Sequence, residues 1–67
     1  MLKNNLKEIR TEEYNLSPTE FSKLLGINRK TYYHLEAGES FPPLEKAFLI
    51  AKKLNKYITE IWYLEEE

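Results

Sequence analysis

The chain has no cysteine and a single histidine, His34. Neither a disulfide framework nor a thiolate metal site is open to it, and one imidazole cannot assemble a zinc site alone. Only two glycines are present, Gly26 and Gly38, and they form no phosphate-cradling loop. No nucleophile stands in a pattern with a base, so nothing supports an enzyme, and no cofactor is expected. The longest apolar run is far too short to cross a bilayer, and no basic start leads into an apolar stretch. The expectation is a cytoplasmic protein without membrane contact. Charge of one sign is scarce as well: ten Lys and Arg stand against eleven Asp and Glu, a formal net charge of −1. That balance argues against an indiscriminate polyanion binder, so nucleic-acid binding would need a locally basic face. At 67 residues the chain holds one small core, near the size where a single core is only marginally sufficient. Without repeats, low-complexity tracts or linkers, residues 1–67 read as one domain.

What is present is a series of helix start and stop signals. KNNLKEIRTEEY carries Leu6, Ile9 and Arg10 on one side and predicts a first helix ending near Tyr14 and Asn15, where Asn tolerates a left-handed residue. In LSPTEF, Ser17 can cap, Pro18 suits the first helical position, and Glu20 closes a capping box. Leu16 and Phe21 stand at the two positions of a hydrophobic staple. Phe21, Leu24 and Leu25 then form the expected inward stripe of a short second helix that Gly26 stops. The pattern repeats at once: Asn28 caps, Ile27 and Tyr32 make the staple, and a third helix runs from Arg29 to about Ala37 before Gly38. With Tyr32 and Leu35 inward, Arg29, Lys30, Tyr33 and His34 must point outward.

Two prolines in ESFPP fix the entry to a fourth helix, whose predicted inward stripe is Leu44, Ala47, Phe48, Ala51 and Leu54. Asn55 and Lys56 break it. ITEIWYL adds a last helical turn with Ile58, Ile61 and Trp62 inward, and the tail YLEEE can pair as a short strand with MLKNN. The fold expected is all-α, four to five helices, with a short pairing of the chain ends.

Two short helices joined by a tight glycine-containing turn are a helix-turn-helix, here about residues 17–37. The ordered set Leu16-Ser17, Gly26-Ile27, Leu35-Glu36, Gly38, Pro42, Leu44-Glu45, Ala51 and Leu54 resembles the Cro and phage-repressor type of this domain, the XRE family, across residues 6 to 62. The resemblance implies a lambda-repressor-like domain that binds double-stranded DNA as a sequence-specific transcriptional regulator. It places the third helix in the major groove, with Arg29, Lys30, Tyr33 and His34 as the residues that read bases. The chemistry suits this, because Arg and Lys match the two acceptors of a guanine edge. It also places Ser17, Thr19, Lys23, Asn28, Thr31, Ser40 and Lys46 at phosphate-contacting positions, and it pairs Arg10 with Glu36 beneath the third helix.

Outward cations are common on any soluble helix, and His34 alone reads as a surface residue. Within the helix-turn-helix frame the face gains meaning, because no acidic residue stands between Gly26 and Leu35 in a chain that is net acidic. Some anchors usual in the family are replaced: Pro18 stands where Gln is common, and Ala37 and Glu39 flank Gly38 where Asn and a cation are common. Modest affinity per subunit and a shallow salt slope are expected. Dimerisation would compensate by coupling two half-sites. The apolar C-terminal segment, about 57–67, is the expected homodimer interface through Ile58, Ile61, Trp62, Tyr63 and Leu64, although Trp62 can equally cap the core. The simplest role is a small repressor on a palindromic operator. The alternative on the same fold is a protein-interaction module, such as an antitoxin or a regulator subunit, with weak DNA binding.

Overall fold

A computed structural model describes residues 1–66. Strand β1, Leu2–Asn4, leads into helix α1, Leu6–Glu8, which widens without a break into a π-helical segment, Ile9–Tyr14. Helices α2, Pro18–Leu25, and α3, Arg29–Ala37, follow across a tight turn. Then come α4, Leu44–Lys53, the single turn α5, Ile58–Ile61, and strand β2, Trp62–Leu64. The two strands pair antiparallel, Leu2 with Leu64, Lys3 with Tyr63 and Asn4 with Trp62, so the two ends of the described chain close on each other. Glu67, at the end of the predicted dimerisation segment and of the predicted strand, lies outside the described residues.

The local signals work as their chemistry requires. The Ser17 hydroxyl accepts from the Glu20 N–H at 3.2 Å, and the Glu20 carboxylate accepts from the Ser17 N–H at 3.0 Å. These two bonds satisfy donors that the start of α2 would otherwise leave open. Asn28 caps α3 by accepting from Lys30 and Thr31 at 2.7 and 3.3 Å. Gly26 closes α2 at φ 73°, a left-handed conformation that side chains oppose. Lys53 of α4 donates to the Leu25 carbonyl there, a cation at a helix C-terminus. The widened end of the first helix has a single hub. The Arg10 carbonyl accepts from both Asn15 and Leu16, and Asn15 turns left-handed at φ 51°.

One core joins every helix: Leu6, Ile9, Phe21, Leu25, Tyr32, Leu35, Ala47, Ile50, Ala51, Leu54, Ile61 and Trp62. Its aromatic spine runs from Tyr14 to Phe21 at 5.4 Å and on to Tyr32 at 5.6 Å, the latter edge to face. Such pairs add to the burial of their area.

Two predicted stripes are corrected. In α2, Leu24 is exposed and Ser22 is buried in its place, its hydroxyl donating to the Thr19 carbonyl at 2.8 Å. In α4, Ala47, Ala51 and Leu54 pack inward with Ile50, whereas Leu44 and Phe48 are 70% and 55% exposed. Helix α4 carries more apolar residues than one stripe can bury, and its packing against α5 selects the phase containing Ile50. Leu44 and Phe48 are thereby left one turn apart on the outside.

Candidate nucleic-acid interface

Beneath α3 lies a buried polar cluster. Arg10 Nε donates to Glu36 Oε2 at 3.0 Å and Nη2 to Oε1 at 3.4 Å, a two-point pairing, while Nη1 donates to the Leu16 carbonyl at 3.1 Å. The Tyr32 hydroxyl donates to the same Glu36 carboxylate. The Arg10 and Glu36 side chains are only 11% and 16% exposed. Hydrogen bonding to Glu36 raises the Arg10 guanidinium above its ordinary value, and burial, reinforced by Glu36, pushes the Tyr32 phenol up. The bond to Glu36 favours the charged guanidinium, and burial with Glu36 favours the neutral phenol against the opposing pull of Arg10. The cluster locks the inner side of α3 to the first helix and to the chain entering α2, so the outer side is held at a fixed angle.

The far end of α3 has a second support. Asn4 Nδ2 donates to the carbonyls of Leu35 and Glu36 at 3.1 and 3.3 Å, while its Oδ1 accepts from Leu6 at 3.0 Å. Asn4 thus joins β1, α1 and the C-terminal end of α3. The only sequence signal for it was an Asn just ahead of a helix, which names one of its three bonds.

On the outer side, Arg29, Lys30, Tyr33 and His34 are all exposed on α3. Arg29 lies 5.9 Å from the centre of the Tyr33 ring, one turn on, a cation–π contact that steadies both side chains. Among the described residues neither Arg29 nor Lys30 pairs with a carboxylate, whereas Lys3, Arg10 and Lys56 each do. His34 is different: its Nδ1 lies 2.7 Å from Glu39 Oε1. The sequence marks Glu39 only as a carboxylate where a cation is common and gives no sign of this bond.

The seven candidate phosphate contacts fall into two groups. Thr31, Ser40 and Lys46 line one recess beside α3 with Ile27, Leu35 and Pro42. Ser17, Thr19 and Lys23 follow the cap and first turns of α2, with Thr19 and Lys23 one turn apart. Asn28 stands between the groups, and its carbonyl oxygen already holds two amides at the α3 N-terminus. What remains there for an anion is its own amide and the Thr31 hydroxyl.

Of the five residues predicted for a dimer contact, Ile61 and Trp62 are buried in the chain's own core, Ile58 is half-buried, and Tyr63 and Leu64 are exposed. Trp62 Nε1 is buried without an acceptor among the described residues. Around it runs a shallow groove lined by Leu2, Phe41, Leu44, Ala47 and Ile58. No helix among the described residues is long and apolar enough to cross a membrane, and no acidic, His or Cys cluster among them could hold a metal ion.

Comparison with known proteins agrees with this architecture. The profile of the family described as helix-turn-helix matches residues 6–61. An uncharacterized HTH-type transcriptional regulator of Methanocaldococcus jannaschii is 36% identical over 66 residues, covering 98% of this chain and 98% of its own. One from Archaeoglobus fulgidus is 33% identical over 66 residues, 98% and 92% of the two chains. The regulator YgzD of Bacillus subtilis is 30% identical over 66 residues, 98% of each.

Proposed function

The chain belongs to the helix-turn-helix family of DNA-binding transcriptional regulators, and on that premise we propose that it is a small sequence-specific repressor that binds a palindromic operator as a two-fold dimer. The observation that carries the reading is the outer face of α3. It presents two cations that pair with no carboxylate among the described residues, an exposed Tyr and an exposed His that meets Glu39, on a helix tied down by the Arg10–Glu36–Tyr32 cluster. Arg29 and Lys30 match the paired acceptors of a guanine edge, and Tyr33 and His34 add shorter polar contacts. Thr31, Ser40 and Lys46 on one flank and Ser17, Thr19 and Lys23 on the other would hold the two phosphate backbones, with Asn28 at the α3 cap.

The dimer follows from exposed apolar surface. Leu44, Phe48, Phe41, Tyr63 and Leu64 are each at least two-fifths exposed, and Phe41 and Leu44 line the groove with Ile58. A second copy of the chain covering this surface would bury it and carry two α3 helices to successive turns of the duplex. The contact would rest on Ile58, Tyr63 and Leu64 of the tail together with Leu44 and Phe48 of α4, with Ile61 and Trp62 supporting it from the core.

Selection of preferred sites from random duplexes, followed by gel shift against competitor DNA, tests the reading. A two-fold-related site should emerge, and failure to prefer any duplex at low salt would sink the DNA-reading claim.

A further inference from the structure

Helix α3 ends by turning the following residue back onto its own last turn. Gly38 adopts φ 79°, and a Cβ there would meet no atom within 4 Å, so conformation rather than crowding calls for glycine. The reversal brings the Glu39 and Ser40 amides to the His34 carbonyl at 3.0 and 3.3 Å. It also lays the Glu39 carboxylate against His34 Nδ1 at 2.7 Å. Backbone and side chain thus bind the same two residues together: the turn fixes Glu39 beside His34, and its carboxylate meets the ring at Nδ1.

An ionised carboxylate can only accept a hydrogen bond. Nδ1 therefore carries the ring proton and donates to Glu39, which leaves the lone pair of the neutral imidazole on Nε2. Nε2 has no partner among the described residues, and the ring stands on the exposed face with Arg29, Lys30 and Tyr33. A base edge meeting that nitrogen must offer a donor. In the major groove only the amino groups of adenine and cytosine do so, since guanine and thymine present acceptors there. We infer that Glu39 is a positioning residue that fixes the Nδ1–H tautomer of His34 and so selects adenine or cytosine at the base His34 meets. The inference rests on the reading of α3 as the DNA-reading helix. Glu39 then gives up some attraction to phosphate and gains discrimination at one base.

The test uses the single histidine of the chain, whose two ring nitrogens are the only imidazole signals in a long-range nitrogen–proton NMR spectrum. With the ring neutral, the free wild-type protein should show a protonated Nδ1 and an unprotonated Nε2. E39A and E39Q remove the same charge. Alanine holds neither tautomer, and glutamine can donate or accept, so both variants should show a mixture. An unprotonated Nδ1 in the wild type overturns the inference.

In site selection, the wild type should favour adenine or cytosine at one position of each half-site by about three- to tenfold, the worth of one hydrogen bond. Both Glu39 variants should lose that preference and keep the others, and E39A should change nothing further at that position in an H34A background. Undiminished preference in E39A overturns the inference and leaves DNA reading intact. Absence of any preferred duplex for the wild type overturns DNA reading itself, and base selection by His34 with it.

Discussion

Replacing Arg10 with Met keeps the length of the side chain and removes its charge and its donors. Glu36 would then lose the bonds at 3.0 and 3.4 Å and keep only the Tyr32 hydroxyl, while the Leu16 carbonyl would lose its donor at 3.1 Å. Hydrogen bonds to a charged group are worth about 1.5–3 kcal/mol each, and an unpaired buried charge costs about 3–5 kcal/mol in all. Both partners are well under a third exposed, so solvent screening removes little of this. A domain of 67 residues has about 3–10 kcal/mol of total stability. Arg10→Met should therefore abolish about a third of it at the least and all of it at the most. Urea titration followed by the fluorescence of Trp62, the only tryptophan and 8% exposed, reads this directly, with helical circular dichroism as the second probe. Changing both partners, Arg10→Met with Glu36→Leu, leaves no orphaned charge and should recover most of the loss. A loss under about 1 kcal/mol for the single variant, the scale of an exposed ion pair, would refute the reasoning. So would a double variant no more stable than the single one.

Arg29→Ala should flatten preference at one or two base pairs at a cost of about 1–3 kcal/mol, whereas Lys23→Ala should weaken all sequences alike, as competition binding with matched and mismatched duplexes will read. Leu44→Asp with Phe48→Asp alters residues that are 70% and 55% exposed, so the circular dichroism spectrum should be kept; light scattering at micromolar concentration should show the mass fall from two chains to one, and a single-chain mass for the wild type would remove the dimer. The Ser17 backbone N–H, and then its hydroxyl, hold the Glu20 carboxyl below its ordinary value. Its contribution to stability is thus present at neutral pH and is lost as pH falls through the carboxylate range, so Glu20→Gln should make the acid limb of a stability–pH curve shallower.

The parts of the fold that could be read in advance are those set by bonds between neighbours in sequence. Ser17, Glu20, Asn28, Gly26 and Gly38 announce caps and stops because each acts on amides or carbonyls within one turn. The outward face of α3 followed in the same way, since Tyr32 and Leu35 leave Arg29, Lys30, Tyr33 and His34 no inward place. The phase of α4 was not legible. LEKAFLIAKK contains two overlapping apolar stripes, and only the positions of its neighbours decide that Ile50 goes in while Leu44 and Phe48 stay out. The π-helical widening over Ile9–Tyr14 has no composition of its own, and it sets Arg10 between Glu36 and Leu16. The bond between His34 and Glu39 was hidden for a related reason: charge counting sees only a carboxylate just past a helix end, while the left-handed turn at Gly38 decides which atom it touches.

The pairing of Leu2–Asn4 with Trp62–Leu64 has a consequence for the order of events in folding. Asn4 supports the end of α3, yet its strand has no partner until Trp62–Leu64 have been made, since closing so long a loop must await them. A growing chain can form the α2–α3 pair early from local signals alone. Helix α3 gains this last support only when residues 62–64 arrive, so a partly made chain can be folded in the middle while the end of α3 still lacks its tie.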